Sequence, residues 1–181
     1  MLLKQLKRYH LFVYAYIDKE HIARWCFMNK NSDAKALITG KGIYKEIIGK
    51  AYFYNTNNGV LVVMEVNGLP KGMDNCSGRI YGVHIHEGNS CKGNESDMFA
   101  NTKSHYNPNM CMHPYHAGDM PPLFESNGHA LMMFLSNRFT IDEIVNKTIV
   151  IHDKPDDFTT QPSGNSGNKI ACGVIVKSYY I

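Results

Sequence analysis

Short runs rich in Val, Ile, Tyr and Phe, with no long helical pattern between them, set the strongest limit on how this 181-residue chain can fold. They cover residues 47–55, 60–66, 79–86, 129–135, 148–152 and 170–176, and clusters of Asn, Gly, Pro and Ser separate them. Asn58-Gly59 between the first two predicts a hairpin, since both residues tolerate the positive φ of a tight turn. Only residues 141–145 suggest a helical turn. Parallel strands need helical crossovers that this pattern lacks, so the expectation is an all-β, antiparallel sandwich or barrel. Residues 87–127 carry no convincing element, and so long a loop needs something other than a strand ladder to order it.

Charge and hydropathy narrow the function. Nineteen Lys and Arg against sixteen Asp and Glu leave a net charge of +3, too small and dispersed for nucleic-acid binding. The apolar run at residues 11–17 falls far short of the roughly 20 residues that cross a bilayer. It also lacks the length and cleavage site of an export signal, which points to a cytoplasmic location. Leu6, Tyr9, Val13 and Ile17 recur at helical spacing, so residues 1–33 read as an N-terminal extension, helical or frayed, and residues 34–181 as the functional domain.

Histidine is where chemistry concentrates: seven of the nine lie between residues 84 and 152. In Val83-His84-Ile85-His86 the alternation of a strand puts both imidazoles on one face, roughly 7 Å apart, where they can converge on one ion. His105, His113, His116 and Asp119 follow within 15 residues, a nitrogen and oxygen set that suits Zn(II) and would order the long loop. His152 ends another strand, with Asp153, Asp156 and Asp157 placed to hold an imidazole by its second nitrogen. Six histidines and one aspartate exceed the needs of one ion. Four nitrogens suit Cu(II), three with a carboxylate suit Zn(II), and one shared ring could join the two.

The motifs Gly-Val-His-Ile-His-Glu, Ser-His-Tyr-Asn-Pro, His-Ala-Gly-Asp, Val-Ile-His-Asp-Lys-Pro-Asp-Asp and Gly-Asn-Ser-Gly-Asn-Lys-Ile-Ala-Cys-Gly-Val-Ile occur here in that order. Between about residues 34 and 176 the chain resembles the copper/zinc superoxide dismutases, most closely the bacterial branch. The resemblance implies an immunoglobulin-like Greek-key β-barrel of eight strands with long metal-binding loops. It implies copper at His84, His86, His105 and His152, and zinc at His105, His113, His116 and Asp119. Asp156 would join His84 to His113, and Cys91 and Cys172 would form a disulfide that could contribute about 4 kcal/mol. The implied substrate is superoxide, with copper cycling between Cu(II) and Cu(I), and the implied catalytic residues are His105, as proton carrier, and Lys169.

The departures are as informative. Lys169 stands where the family usually has arginine, keeping the charge but losing the planar fork. Two residues separate His113 from His116, and the 152–169 stretch looks trimmed. His129 matches no ligand position and reads as a strand residue. Cys26, Cys76 and Cys111 lie outside the family pattern, with a Cys76–Cys111 pair and a metal role for Cys111 as the options beyond free thiols. The alternative function is a non-catalytic copper/zinc-binding protein on the same fold. A zinc hydrolase fits worse, because it needs an open zinc position and a placed base. The disulfide would also suit the periplasm or extracellular space, and the family includes both dimers and monomers, so a homodimer stays open.

Overall fold

Alternation of buried and exposed residues builds the strands of this computed structural model, which describes residues 32–72 and 79–178. The ten strands among these described residues are β1 (Ala34–Gly40), β2 (Ile48–Thr56), β3 (Gly59–Asn67), β4 (Ile80–Tyr81), β5 (Val83–His86), β6 (Leu123–Phe124), β7 (His129–Ser136), β8 (Thr148–His152), β9 (Lys169–Val174) and β10 (Val176–Lys177). One helical turn, α1 (Ile141–Ile144), begins with a capping box between Thr140 and Glu143. The amphipathic pattern proposed for the first 17 residues, together with Cys26 and Cys76, lies outside the described residues.

Each expected strand forms, with ends that match or shift by up to two residues; the 79–86 run divides at Gly82 into β4 and β5, and the 170–176 run divides at Ile175 into β9 and β10. β1 is an addition to the expected runs. Its inward residues are Ala34, Ala36 and Ile38, and two small alanines give a weak strand signal although all three are buried. The Asn58-Gly59 hairpin is present, with β2 and β3 in register from Ile48 opposite Asn67 to Thr56 opposite Gly59.

Seven strands run antiparallel in the order β5-β8-β9-β1-β2-β3-β7, and β10 pairs with β1. Spatial neighbours that skip in sequence, such as β3 beside β7 and β5 beside β8, are the crossovers of a Greek key. The sheet curls, and the β4–β6 pair links its two ends: β4 runs into β5 through Gly82, and β6 turns back into β7. Ile38, Phe53, Met64, Tyr81, Ile85, Ile149 and Ile170 fill the interior. Every residue of β5 and β8 is buried, because one face meets this core and the other is covered by loops. Those loops carry the histidines.

Candidate metal centre

β5 is the platform. Val83 and Ile85 enter the core, so His84 and His86 face the opposite side. One edge of β5 pairs with β8, and the other takes up the long loop. Ile85 N–H donates to Gly118 O at 2.9 Å, Tyr106 N–H to Ile85 O at 2.8 Å, Glu87 N–H to Ser104 O at 3.0 Å and Gly88 N–H to Thr102 O at 2.8 Å. This seam places His105 opposite His86 and Asp119 opposite His84. The loop is therefore ordered in part by backbone bonding to a strand edge, which the sequence pattern does not announce.

Three further ties hold that loop. Cys91 and Cys172 form a disulfide across a sequence separation of 81 residues. Lys41 Nζ donates to Cys91 O at 2.6 Å and lies over the Phe99 ring. Gln161 makes a reciprocal pair with the His113 backbone, accepting from its N–H at 2.9 Å and donating to its carbonyl at 2.7 Å. Neither Lys41 nor Gln161 has a local sequence signal, since their partners lie 50 and 48 residues away.

His152 arrives from β8, where a register shift between Ile151 and His152 sets it opposite Lys169 of β9. Such irregularities re-aim side chains beside sites. Two donor sets result. The ligand atoms of His84, His86, His105 and His152 all lie within 4.8 Å of one another, and so do those of His105, His113, His116 and Asp119. All seven residues are buried, and His105 belongs to both sets. Cys111 is free and exposed and joins neither set, while His129 lies on β7, 3.2 Å from Glu65.

The hydrogen-bond partners reveal which ring nitrogens are bare. Asp156 accepts from His84 Nε2 at 2.7 Å and from His113 Nε2 at 2.9 Å, so one carboxylate orients a ring from each set. The carbonyl of Lys103 accepts from His86 Nδ1 at 2.8 Å, and that of Gly167 faces His152 Nδ1 at 3.4 Å. Each partner takes a proton and leaves the opposite nitrogen with its lone pair inward. His84 Nδ1, His105 Nε2, His113 Nδ1 and His116 Nδ1 are buried without a hydrogen-bond partner, although the last two lie 3.1 and 3.3 Å from Asp119 Oδ2. Those two approaches lack hydrogen-bond geometry, as expected for donors ringed around a common point. His86 Nε2 and His152 Nε2 face each other at 3.2 Å, lone pair to lone pair, an arrangement a cation relieves. The residues thus fit metal ions.

Electrostatics agree. Burial is the main cause that lowers the pKa values of His84, His86 and His152, with His84 brought to about 4, so these rings are neutral and ready to ligate. Burial tends to raise the Asp119 and Asp156 carboxyls, but the hydrogen bond and charge of His105 at Asp119, and hydrogen bonds from His84, the Phe158 N–H and His113 at Asp156, outweigh it and both lie below the usual range. A cleft of about 490 Å³ opens onto His86, His105 and His152, with Lys169 and Lys103 in its lining. Lys169 Nζ is paired to Asp97 Oδ2 at 2.8 Å, a partner absent from the sequence reading.

The copper/zinc superoxide dismutase (SODC) family model matches residues 47–175. Superoxide dismutase [Cu-Zn] 2 of Aquifex aeolicus is 34% identical over 145 residues, 72% of this chain and 80% of that protein. Superoxide dismutase [Cu-Zn] of Legionella pneumophila is 34% identical over 151 residues, 79% of this chain and 86% of the relative. Among solved structures, a double mutant of a SOD-like protein from Bacillus subtilis superposes with a TM-score of 0.65 at 25% identity, covering 78% of this chain and 96% of that one. The matched segment contains both donor sets, the disulfide and Lys169, and the chain belongs to the copper/zinc superoxide dismutase family.

Proposed function

We propose that the chain dismutates superoxide, so that two superoxide anions and two protons give dioxygen and hydrogen peroxide. The observation that carries this reading is the pair of buried donor sets sharing His105, with inward ring nitrogens left bare. Four imidazoles at His84, His86, His105 and His152 suit copper, and three imidazoles with Asp119 suit zinc. When bound, copper supplies one-electron redox chemistry between Cu(II) and Cu(I), and zinc supplies a fixed positive charge beside it.

The chain's own residues do the rest. Asp156, Lys103 O and Gly167 O hold the rings of His84, His113, His86 and His152 in the tautomers that ligation needs. His105, whose Nδ1 faces Asp119 and whose Nε2 turns bare toward the other three imidazoles, would hold a proton at Nε2 during turnover and deliver it to the reduced product. Lys169 in the cleft draws the anion toward His86 and His152, an attraction that weakens as salt screens it. Residues 34–181 form the catalytic domain, and residues 1–33 add no chemistry. Among the described residues no helix is long and apolar enough to cross a membrane. The disulfide supports the periplasmic or extracellular alternative over a cytoplasmic location.

The test compares wild type with His105→Ala after loading with copper and zinc. Superoxide decay should accelerate with wild type, be blocked by cyanide, and fall by at least about 100-fold in the variant. Equal rates in the two proteins would remove His105 from the reaction.

A further inference from the structure

Lys169 is not a free cation in its cleft. Its ammonium donates to Asp97 Oδ2 at 2.8 Å and stands 3.4 Å from the carbonyl of Phe99. The lysine side chain is 16% exposed and that of Asp97 35%, so the pair sits partly out of water, where its charges are screened less than on an open surface.

Asp97 is held in turn. Its N–H donates to Asn94 Oδ1 at 2.9 Å, its Oδ1 accepts from Phe99 N–H at 2.9 Å, and its carbonyl accepts from the N–H groups of Asn94 at 2.9 Å and Ala100 at 3.1 Å. One carboxylate oxygen therefore builds the turn and the other is presented to the lysine. The turn lies in the segment that begins at Cys91, which the disulfide fastens to β9, the strand that starts at Lys169. An ammonium has three N–H donors. Two are directed at Asp97 and Phe99, which leaves one for the cleft. Lysine lacks the fork by which arginine can be anchored and still present a second planar edge. Here a carboxylate provides the anchor, and its own charge offsets that of the group it anchors.

We propose that Asp97 is a positioning residue for the reaction: it fixes Lys169 against the loop and lowers the charge that an incoming anion meets. The inference rests on the reading of Lys169 as the group that attracts superoxide. It assigns this chain a weaker and less salt-sensitive attraction than an unpaired lysine at that place would give.

Asp97→Asn keeps an oxygen for the Phe99 N–H, and so keeps the turn, while removing the charge. Azide, a small monoanion, is titrated into the copper- and zinc-loaded protein and followed by the visible spectrum of copper, which reads anion affinity apart from turnover. Superoxide decay between about 10 and 200 mM salt reads the attraction itself. In Asp97→Asn azide should bind about three- to ten-fold more tightly, and the rate should rise at low salt with a steeper decline as salt is added. Both changes should be smaller when the same substitution is made in Lys169→Gln, since the charge of Asp97 acts on the anion in both backgrounds and its hold on the lysine in only one. Unchanged azide affinity in Asp97→Asn, or equal changes in both backgrounds, would overturn the proposal while leaving Lys169 its role. If Lys169→Gln alone alters neither azide affinity nor salt dependence, the anion-guiding role of Lys169 fails, and the proposal for Asp97 fails with it.

Discussion

Asp156 shows how much one side chain can fix. Its two oxygens orient His84 in one donor set and His113 in the other, so a single carboxylate sets the tautomer of both rings. Asp156→Asn can accept through only one oxygen and presents an N–H toward the other ring. Metal affinity should fall by about 10- to 100-fold, read as faster loss of zinc to a chelator. Gly164 explains why this carboxylate is reached at all. It adopts a φ of +65°, and a Cβ there would stand 1.9 Å from Asp156 Oδ1, so Gly164→Ala should weaken zinc retention in the same assay.

The buried rings also predict a pH dependence for the metal-free protein. His84 has a folded-state pKa of about 4 against about 6.5 when unfolded, so the unfolded chain binds the proton first as pH drops. That stability is present above about pH 6.5 and lost as pH falls toward 4, on the order of 3 kcal/mol for this residue alone, with His86 and His152 adding in the same direction. Below that range, protonation of Asp119 and Asp156 removes more. Denaturant midpoints measured from about pH 7.5 to about pH 4 should therefore decline throughout, and a flat profile would contradict this account of the rings.

At the scale of elements, the seam between β5 and the loop organises the site. Gly118 lies where an added Cβ would meet Ile85 O at 2.2 Å, so Gly118→Ala should push the loop off β5 and reduce both thermal stability and metal retention. Replacing Cys91 and Cys172 together by Ser should cost about 2–5 kcal/mol in unfolding free energy. Strands are legible wherever β-branched and aromatic residues alternate, and β1 is weak because its inward residues include two alanines. Six of the seven ligand candidates are legible because His-x-His on a strand and the 105–119 cluster carry their chemistry in local spacing, and His152 is marked by its place at a strand end before Asp153, Asp156 and Asp157. The order of the long loop is less so, since backbone amides bonding to a strand edge leave no mark in side-chain identity. Asp97 lies 72 residues from Lys169 and Gln161 48 from His113, and no local pattern announces either pairing.

For the whole molecule, the donor sets lie outside the apolar barrel but are buried by its loops, so metal binding and folding are linked. Ligands that bind only the folded chain raise its stability by mass action. The unfolding midpoint should rise on adding zinc and again on adding copper, with the gain shrinking in His105→Ala, which lacks the shared ring. The central claim is that these two sets hold one copper and one zinc and that copper turns superoxide over. The most direct measurement follows superoxide decay and metal content in the same samples while copper is titrated into the zinc-loaded protein. The account predicts a rate that climbs linearly and stops at one copper per chain. One copper and one zinc per chain, with decay no faster than the spontaneous reaction, would contradict it and identify a metal-binding protein without turnover.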